Sequence, residues 1–595
     1  MGYTRVSKGA FLMESLIFTD TDKIGQVIHV DTAQIIIELS DSEQISKIII
    51  GNLVAIDTSK KHEFLIGLID KVTRKYIEEI ASEESNVSDE DILMTGSSDY
   101  IKINIIGTYK SVYGSKRNVF KRGVDSFPKI ESSCYSICGE NLQKFMNILG
   151  QNINSTKPLK IGSFMIDNNT EAILDGNKFF QRHSAILGST GSGKSWCVAN
   201  ILEKASELKN ANIIVFDLHG EYKPLAKEPE KIAESYKIAG PGDLDSEENN
   251  IIFLPYWLLN REEMLSMILD RSDSNAPNQA SRFTLHVRNL KEETLKSEGK
   301  SDVLETFTVD SPIPFEILTL INKLKSDDTE TIPGANGRDK KGDWAGKLTR
   351  FISRLEAKIS DKTYGFMFQP NANTQSYDWM GEQLCRLLGL DKDKKGIKII
   401  DFSEVPSDVL PIVTGTMARL LYDVQFWMED TKRTPFTIIC DEAHLYLPLK
   451  AEADSAQKQA LYNFERIAKE GRKYGVSLLP VSQRPSDVSK TILSQCNNFI
   501  VLRLTNDVDK NVVKNLLPDS LKTTIDSLPL LDIGEALIVG DSILLPSKVL
   551  LDAPSTTHQP NSSTRNFWDE WDSTPPNNEA IKDAIEALRK QSRIK

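Results

Sequence analysis

One octapeptide constrains this chain more than any other feature. Gly188-Ser189-Thr190-Gly191-Ser192-Gly193-Lys194-Ser195 satisfies G-x-x-x-x-G-K-[ST] in full. It lies between a short apolar run, HSAILG (183–188), and a helical pattern over 194–208. Strand, tight loop and helix form the setting in which such a loop can hold phosphate. Its glycines let backbone N–H groups curl around the anion without Cβ clashes. The helix N-terminus adds favourable partial charge. Lys194 then reaches the β- and γ-phosphates, and the Ser195 hydroxyl can ligate Mg²⁺. The stretch Gly188–Trp196 is therefore expected to contact ATP·Mg²⁺.

A phosphate cradle needs a second set of residues to act on the γ-phosphate. Thr437-Ile438-Ile439-Cys440-Asp441-Glu442 is an apolar strand ending in two acids. Asp441 is expected near the metal's water shell, with Ser195, and Glu442 is expected to polarise the attacking water. Ser482-Gln483-Arg484-Pro485 closes the next strand, where Gln483 can bond the γ-phosphate or its water. Asp217, His219, Glu221 and Tyr222, in FDLHGEY, end a further strand and read equally well as a structural turn. His219 with His444 makes no metal pair, because a third ligand is lacking.

The rest of the chain organises around this core. Residues 24–57, 63–73 and 100–109 alternate β-branched and polar side chains between turn signals, which predicts a small antiparallel barrel. An acidic, Ser-rich stretch at 82–98 reads as a surface loop within it. Short, unalternating apolar runs at 212–217, 396–402, 436–442, 476–483 and 498–504 predict strands buried on both faces of a parallel sheet. Leu, Lys and Glu at helical spacing over 260–390 predict a helical insertion, with a loop near 331–343. The expected domains are a barrel and linker over 1–155, an α/β ATPase core over 156–259 and 391–551, and that insertion. A flexible linker (552–577) and an amphipathic helix (578–591) complete the chain over 552–595.

Composition excludes some classes. No apolar run approaches the length of a membrane span, and the N-terminal residues do not read as a signal peptide. Six cysteines in 595 residues are too few for a disulfide framework, which fits a cytoplasmic protein. A net charge of −12 rules out a broadly basic surface but not a narrow basic lining.

In order, RHSAILGSTGSGKS, VFDLHGEY, DEAH, ERIAKEGRKYG and SQRPSDV resemble the HerA family of hexameric P-loop ATPases. IGQVIHVD and GNLVAID are similar to the barrel that precedes the motor in that family. GEALIVGDSILLPSKV resembles the strands that follow it. The resemblance covers about 24–74 and 180–550 and implies a RecA-like core. It further implies a homo-hexameric ring driving double-stranded DNA through its channel as a translocase or helicase. An arginine acting in trans is implied too. Arg182 matches the arginine ahead of the P-loop, and Arg466 or Arg472 falls in the finger segment. A separate effector is also implied, a NurA-like or other nuclease in repair, or a sirtuin-like NADase in anti-phage defence. An ATP-assembled scaffold that activates such an effector is the competing expectation. A protein translocase of the secretion type fits the motif order less well.

Overall fold

The structure is a computed structural model. It describes residues 15–591 apart from 33, 41–47, 49, 79–94, 114–115, 152–156, 334–338, 390–394, 518–524, 563–564, 574 and 576. The chain forms two units, Met1–Gly176 with Ile500–Asp552, and Asn177–Phe499 with Ala553–Lys595.

In the first unit, period-two alternation builds a barrel. Its strands are β1 (Lys23–Val30), β2 (Gln34–Leu39), β3 (Leu53–Asp57), β4 (Glu63–Glu78), β5 (Thr95–Tyr113), β6 (Lys116–Arg122) and β7 (Ser133–Ser136). Their order is β2-β1-β7-β3-β4-β5-β6, and β5 pairs back to β2, so six strands close on themselves. Closure removes the exposed edges that an open sheet would present. Ile35, Ile37, Val54, Ile56, Ile101 and Ile103 point inward and are fully buried.

Two details depart from expectation. The long strands β4 and β5 replace short ones, and Thr95–Ser98 belong to β5, while 82–94 lie outside the described residues. Strands β6 and β7 carry too few apolar residues to announce themselves: KRNVFKR is basic, and SCYS buries only Cys134.

After α1 (Gly139–Gln151), β8 (Leu159–Phe164) and β9 (Asp167–Leu174) form an antiparallel hairpin. Residues 159–174, expected in the ATPase core, thus belong to the first unit, where β8 pairs with a strand near residue 550. The expected boundaries at 155/156 and 390/391 fall outside the described residues.

The second unit follows α2 (Gly176–Gln181) with β10 (Ser184–Leu187), α3 (Lys194–Ser206), β11 (Ile213–Asp217), β12 (Ala233–Ile238) and β13 (Ile251–Ile252). Among the described residues seven α-helices then occupy the insertion: α4 (Arg261–Ile268), α5 (Ala276–Ser297), α6 (Ser301–Leu304), α7 (Ile317–Thr329), α8 (Thr349–Ser360), α9 (Gly365–Phe368) and α10 (Trp379–Leu388). A small ribbon, β14 (Thr331–Pro333) and β15 (Asp339–Lys341), stands where a loop was expected. Next come β16 (Ile397–Asp401), α11 (Leu410–Trp427), β17 (Phe436–Cys440), α12 (Ser455–Glu470), β18 (Val476–Ser482) and α13 (Lys490–Gln495). Strand β19 (Asn498–Leu502) carries the chain back to the first unit, which adds α14 (Asp507–Leu516), β20 (Glu535–Gly540) and β21 (Ser547–Leu551).

The second unit's sheet is parallel, in the order β13-β12-β16-β11-β17-β18-β10. Every residue of β10, β11, β16, β17 and β18 is buried, as strands covered on both faces require. Helices α11 and α12 cross closely because position 415 is glycine; a Cβ there would fall 2.7 Å from the Ala460 Cα. The insertion is keyed to these helices by buried Glu263, which accepts from Arg419 at 2.7 and 2.8 Å and from Asn463 at 2.9 Å.

Residues 553–562 overturn the expectation of a flexible linker. His558 is 5% exposed. Its Nε2 lies 2.7 Å from the Glu230 carbonyl and its Nδ1 3.2 Å from Glu203 on α3. The Ser555 N–H also donates to Glu203, at 3.1 Å, and the Asn561 N–H donates to the Glu221 carbonyl at 2.8 Å. Polar composition suggested a solvated tether, yet here those polar groups are the ones that bond. Two helices follow, α15 (Phe567–Ser573) and α16 (Asn578–Lys590), and neither buries a residue. No helix among the described residues is long and apolar enough to cross a membrane.

Candidate active site

Parallel pairing brings the ends of β10, β18, β17, β11 and β16 side by side on one edge of the sheet. Leu187 is opposite Ser482, Phe216 is opposite Cys440, and Asp217 is opposite Asp401. The loop after β10 turns at Gly191 (φ 72°) and Gly193 (φ 103°), left-handed conformations that glycine adopts without strain. Ser192 Oγ donates to the Ser189 carbonyl at 2.7 Å, which tightens the loop before α3 begins at Lys194. Lys194 is 8% exposed, and its ammonium donates to the same carbonyl at 3.1 Å. Burial lowers its pKa, against the opposing pull of Glu442, Asp441 and Glu221. Trp196 stands on the outer side of α3, 36% exposed.

Asp441 and Glu442 leave β17 between the loops of β11 and β18. Asp441 is 4% exposed, and its pKa is pushed far up, first by burial and then by Asp217, Glu442 and Glu221. Glu442 has a left-handed backbone (φ 44°), a strained conformation for a residue with a Cβ. Its carboxylate Oε2 is buried without a hydrogen bond, 3.3 Å from His444 Nδ1 but outside bonding geometry. Burial lowers the His444 pKa and the Glu442 carboxylate raises it. Thr190 Oγ1 donates to Gln483 Oε1, so the P-loop and the end of β18 touch directly.

Asp217 proves to be a turn-former. Its two oxygens accept from the N–H groups of His219, Gly220, Glu221 and Tyr222, at 3.3, 2.8, 3.1 and 3.0 Å. The bonds curl the loop so that Glu221 and the buried Tyr222 lie against Asp441 and Lys194. His219 is exposed, and among the described residues no group of three side chains could hold a metal.

The three arginines separate. Arg466 is occupied within the chain: its guanidinium stacks 4.8 Å from the Tyr422 ring and 5.2 Å from Phe426, and pairs with Asp423 at 3.4 Å. Arg182 and Arg472 precede β10 and β18, at the sheet edge opposite the P-loop, one strand or about 13 Å away. Between them, His183 Nδ1 accepts from the Leu478 N–H at 2.9 Å. Burial, aided by the Arg472 charge, pushes its pKa down to about 4. Arg472 is exposed and makes no ion pair among the described residues.

The family model described as "Helicase HerA, central domain" matches residues 159–421 of the chain. This chain carries a HerA-type central domain. A probable helicase of Methanocaldococcus jannaschii is 27% identical over 565 residues, 93% of this chain and 90% of its own. The DNA double-strand break repair helicase HerA of Pyrococcus furiosus is 27% identical over 448 residues, 69% of this chain and 72% of its own. Among solved structures, VirB4 of Thermoanaerobacter pseudethanolicus is similar over 68% of this chain and all of its own, with 16% identity and a TM-score of 0.45.

The chain hydrolyses ATP. The family match contains the P-loop and Asp217 but stops short of Asp441, Glu442 and Gln483. Those three join the site through strand order. His183, buried at the opposite end of the P-loop strand, carried no sequence signal beyond its place ahead of that strand.

Proposed function

We propose that this chain is an ATP-driven DNA translocase or helicase that works as a homo-hexameric ring in the cytoplasm. One observation carries the reading: Lys194, Asp441, Glu442 and Gln483 converge at adjoining strand ends around a phosphate-shaped loop. The relatives named as DNA double-strand break repair helicases supply the substrate class.

The residues fit ATP and a divalent cation. The αL glycines open backbone N–H groups toward phosphate. Asp441, crowded by Asp217, Glu442 and Glu221, sits in an excess of negative charge that a cation relieves. Ser195 and Asp441 would hold Mg²⁺, directly or through water, and the bound ion neutralises phosphate charge. Lys194 leaves the Ser189 carbonyl to contact the β- and γ-oxygens. Glu442, strained and without a hydrogen bond at Oε2, orients the attacking water and accepts its proton. Gln483, bonded to Thr190, senses whether the γ-phosphate is present. Arg472 is the trans-acting finger, because it is exposed at the subunit's far edge; Arg182 supports it from the neighbouring strand. Arg466 instead holds α12 against α11.

A separate effector, a NurA-like or other nuclease or a sirtuin-like NADase in repair or defence, is the partner that the family resemblance favours. The test is ATP hydrolysis by purified protein with and without linear duplex DNA, beside Lys194→Ala. Several-fold stimulation, abolished in the variant, supports the motor. Hydrolysis indifferent to DNA favours an ATP-assembled scaffold for the effector.

A further inference from the structure

A groove of about 520 Å³ opens in the second unit, lined by Arg271, Lys450, Lys458, Gln459, Tyr462 and Glu465 among others. Its charge runs against the chain's net −12. Lys450 and Lys458 are exposed and make no ion pair among the described residues. Glu465 is taken up by Lys469 at 3.3 Å and by the Ser489 hydroxyl at 3.2 Å, and Arg271 shares Glu262 at 2.9 Å. Two uncompensated ammonium groups therefore dominate the wall. Lys458 and Tyr462 stand four apart on α12, on one face, and the Tyr462 ring is 64% exposed. Cations flanking an open aromatic ring suit a phosphodiester backbone with bases beside it.

The groove is also tied to the ATP site. The chain leaving Glu442 and the chain leaving Gln483 meet at a bridge between Pro448 and Val488. The Ser489 N–H donates to the Leu447 carbonyl at 2.9 Å, and the Ser489 hydroxyl reaches Glu465 in the groove wall. A shift of either γ-phosphate-facing residue thus has a bonded route to Lys450.

We propose that this groove is the DNA grip of the motor, holding backbone phosphates through Lys450 and Lys458 with Tyr462 packed beside them. The proposal rests on the DNA-motor reading above. Its test is fluorescence anisotropy of labelled 30-mer duplex and single-stranded DNA across a salt series, with ATP analogue present. Lys450→Ala/Lys458→Ala is expected to weaken duplex binding about 10-fold and to flatten the log–log salt slope by about 2. Tyr462→Ala is expected to weaken single strands about 5-fold or more, and duplex less. Lys582→Ala/Lys590→Ala, on α16, removes equal charge elsewhere and is expected to bind as wild type does; melting temperatures verify that each variant is folded. Wild-type affinity and slope in the groove variant, or equal loss in the α16 control, overturns the groove while leaving the motor intact. Wild-type protein that binds no DNA overturns the motor and the groove together.

Discussion

Asp217 and Asp441 end adjacent parallel strands, both are nearly or fully buried, and burial raises the pKa of both. They nonetheless do different work. Asp217 is surrounded by four backbone N–H groups, and its pKa rises only to about 6. Asp441 has three carboxylates for company, Asp217, Glu442 and Glu221, and its own backbone neighbour Glu442 is the group that lowers it. Donors satisfied within the fold make a carboxylate structural, whereas an unrelieved charge at the same depth waits for a cation. Burial and strand position alone do not separate the two; the partners do.

Substitution breaks the comparison most strongly in activity. Asp441→Asn is expected to cut ATP hydrolysis about 100-fold or more and, in the nucleotide-free protein, to raise the melting temperature by removing a crowded buried charge. Asp217→Asn is expected to lower the melting temperature, because an amide cannot accept from all its N–H groups, and to spare most hydrolysis. Equal losses of activity in the two variants would erase the distinction.

A second experiment adds His183, a buried group at the opposite sheet edge, and reads stability against pH. Between about pH 4 and 6.5 the unfolded chain protonates His183 and the folded chain does not, so stability is lost as pH falls through that window. Asp217 acts in the opposite sense: between pH 3.8 and about 6 only the folded chain holds its proton, so stability is lost as pH rises. Each contributes about 3 kcal/mol. His183→Gln is therefore expected to make stability fall more with rising pH than in wild type, and Asp217→Asn to make it rise more. Urea unfolding at pH 4, 5 and 6.5 measures both, and parallel curves for all three proteins would refute it.

The smallest effect concerns Arg466. Removing its ring stacking in Arg466→Ala is expected to cost about 1 kcal/mol, a drop of about 1 °C in melting temperature. Arg472→Ala should leave melting unchanged; a reversed order would exchange their roles.

How much of this could be read in the residues depends on distance along the chain. The P-loop was legible because eight consecutive residues carry it. Asp441, Glu442 and Gln483 were legible because an apolar strand ending in acid or amide has a fixed place beside such a loop. The difference between Asp217 and Asp441 was hidden, since it lies in the curl of residues 218–222 around Gly220 (φ 72°), which only the folded chain reveals. Hairpin β8–β9 adjoins the P-loop in sequence but pairs with β21, a long-range partner that local pattern does not reveal. Arg466 stayed a finger candidate beside Arg472 because the rings it stacks on belong to another helix, α11.

The strap at 553–562 fastens the far end of the chain to the P-loop helix. It grips Glu203 on the helix that begins with Lys194, and the Glu221 carbonyl beside the acids. The segment that precedes α15 is thereby anchored on the same helix that carries Lys194 and on the same loop that carries Glu221.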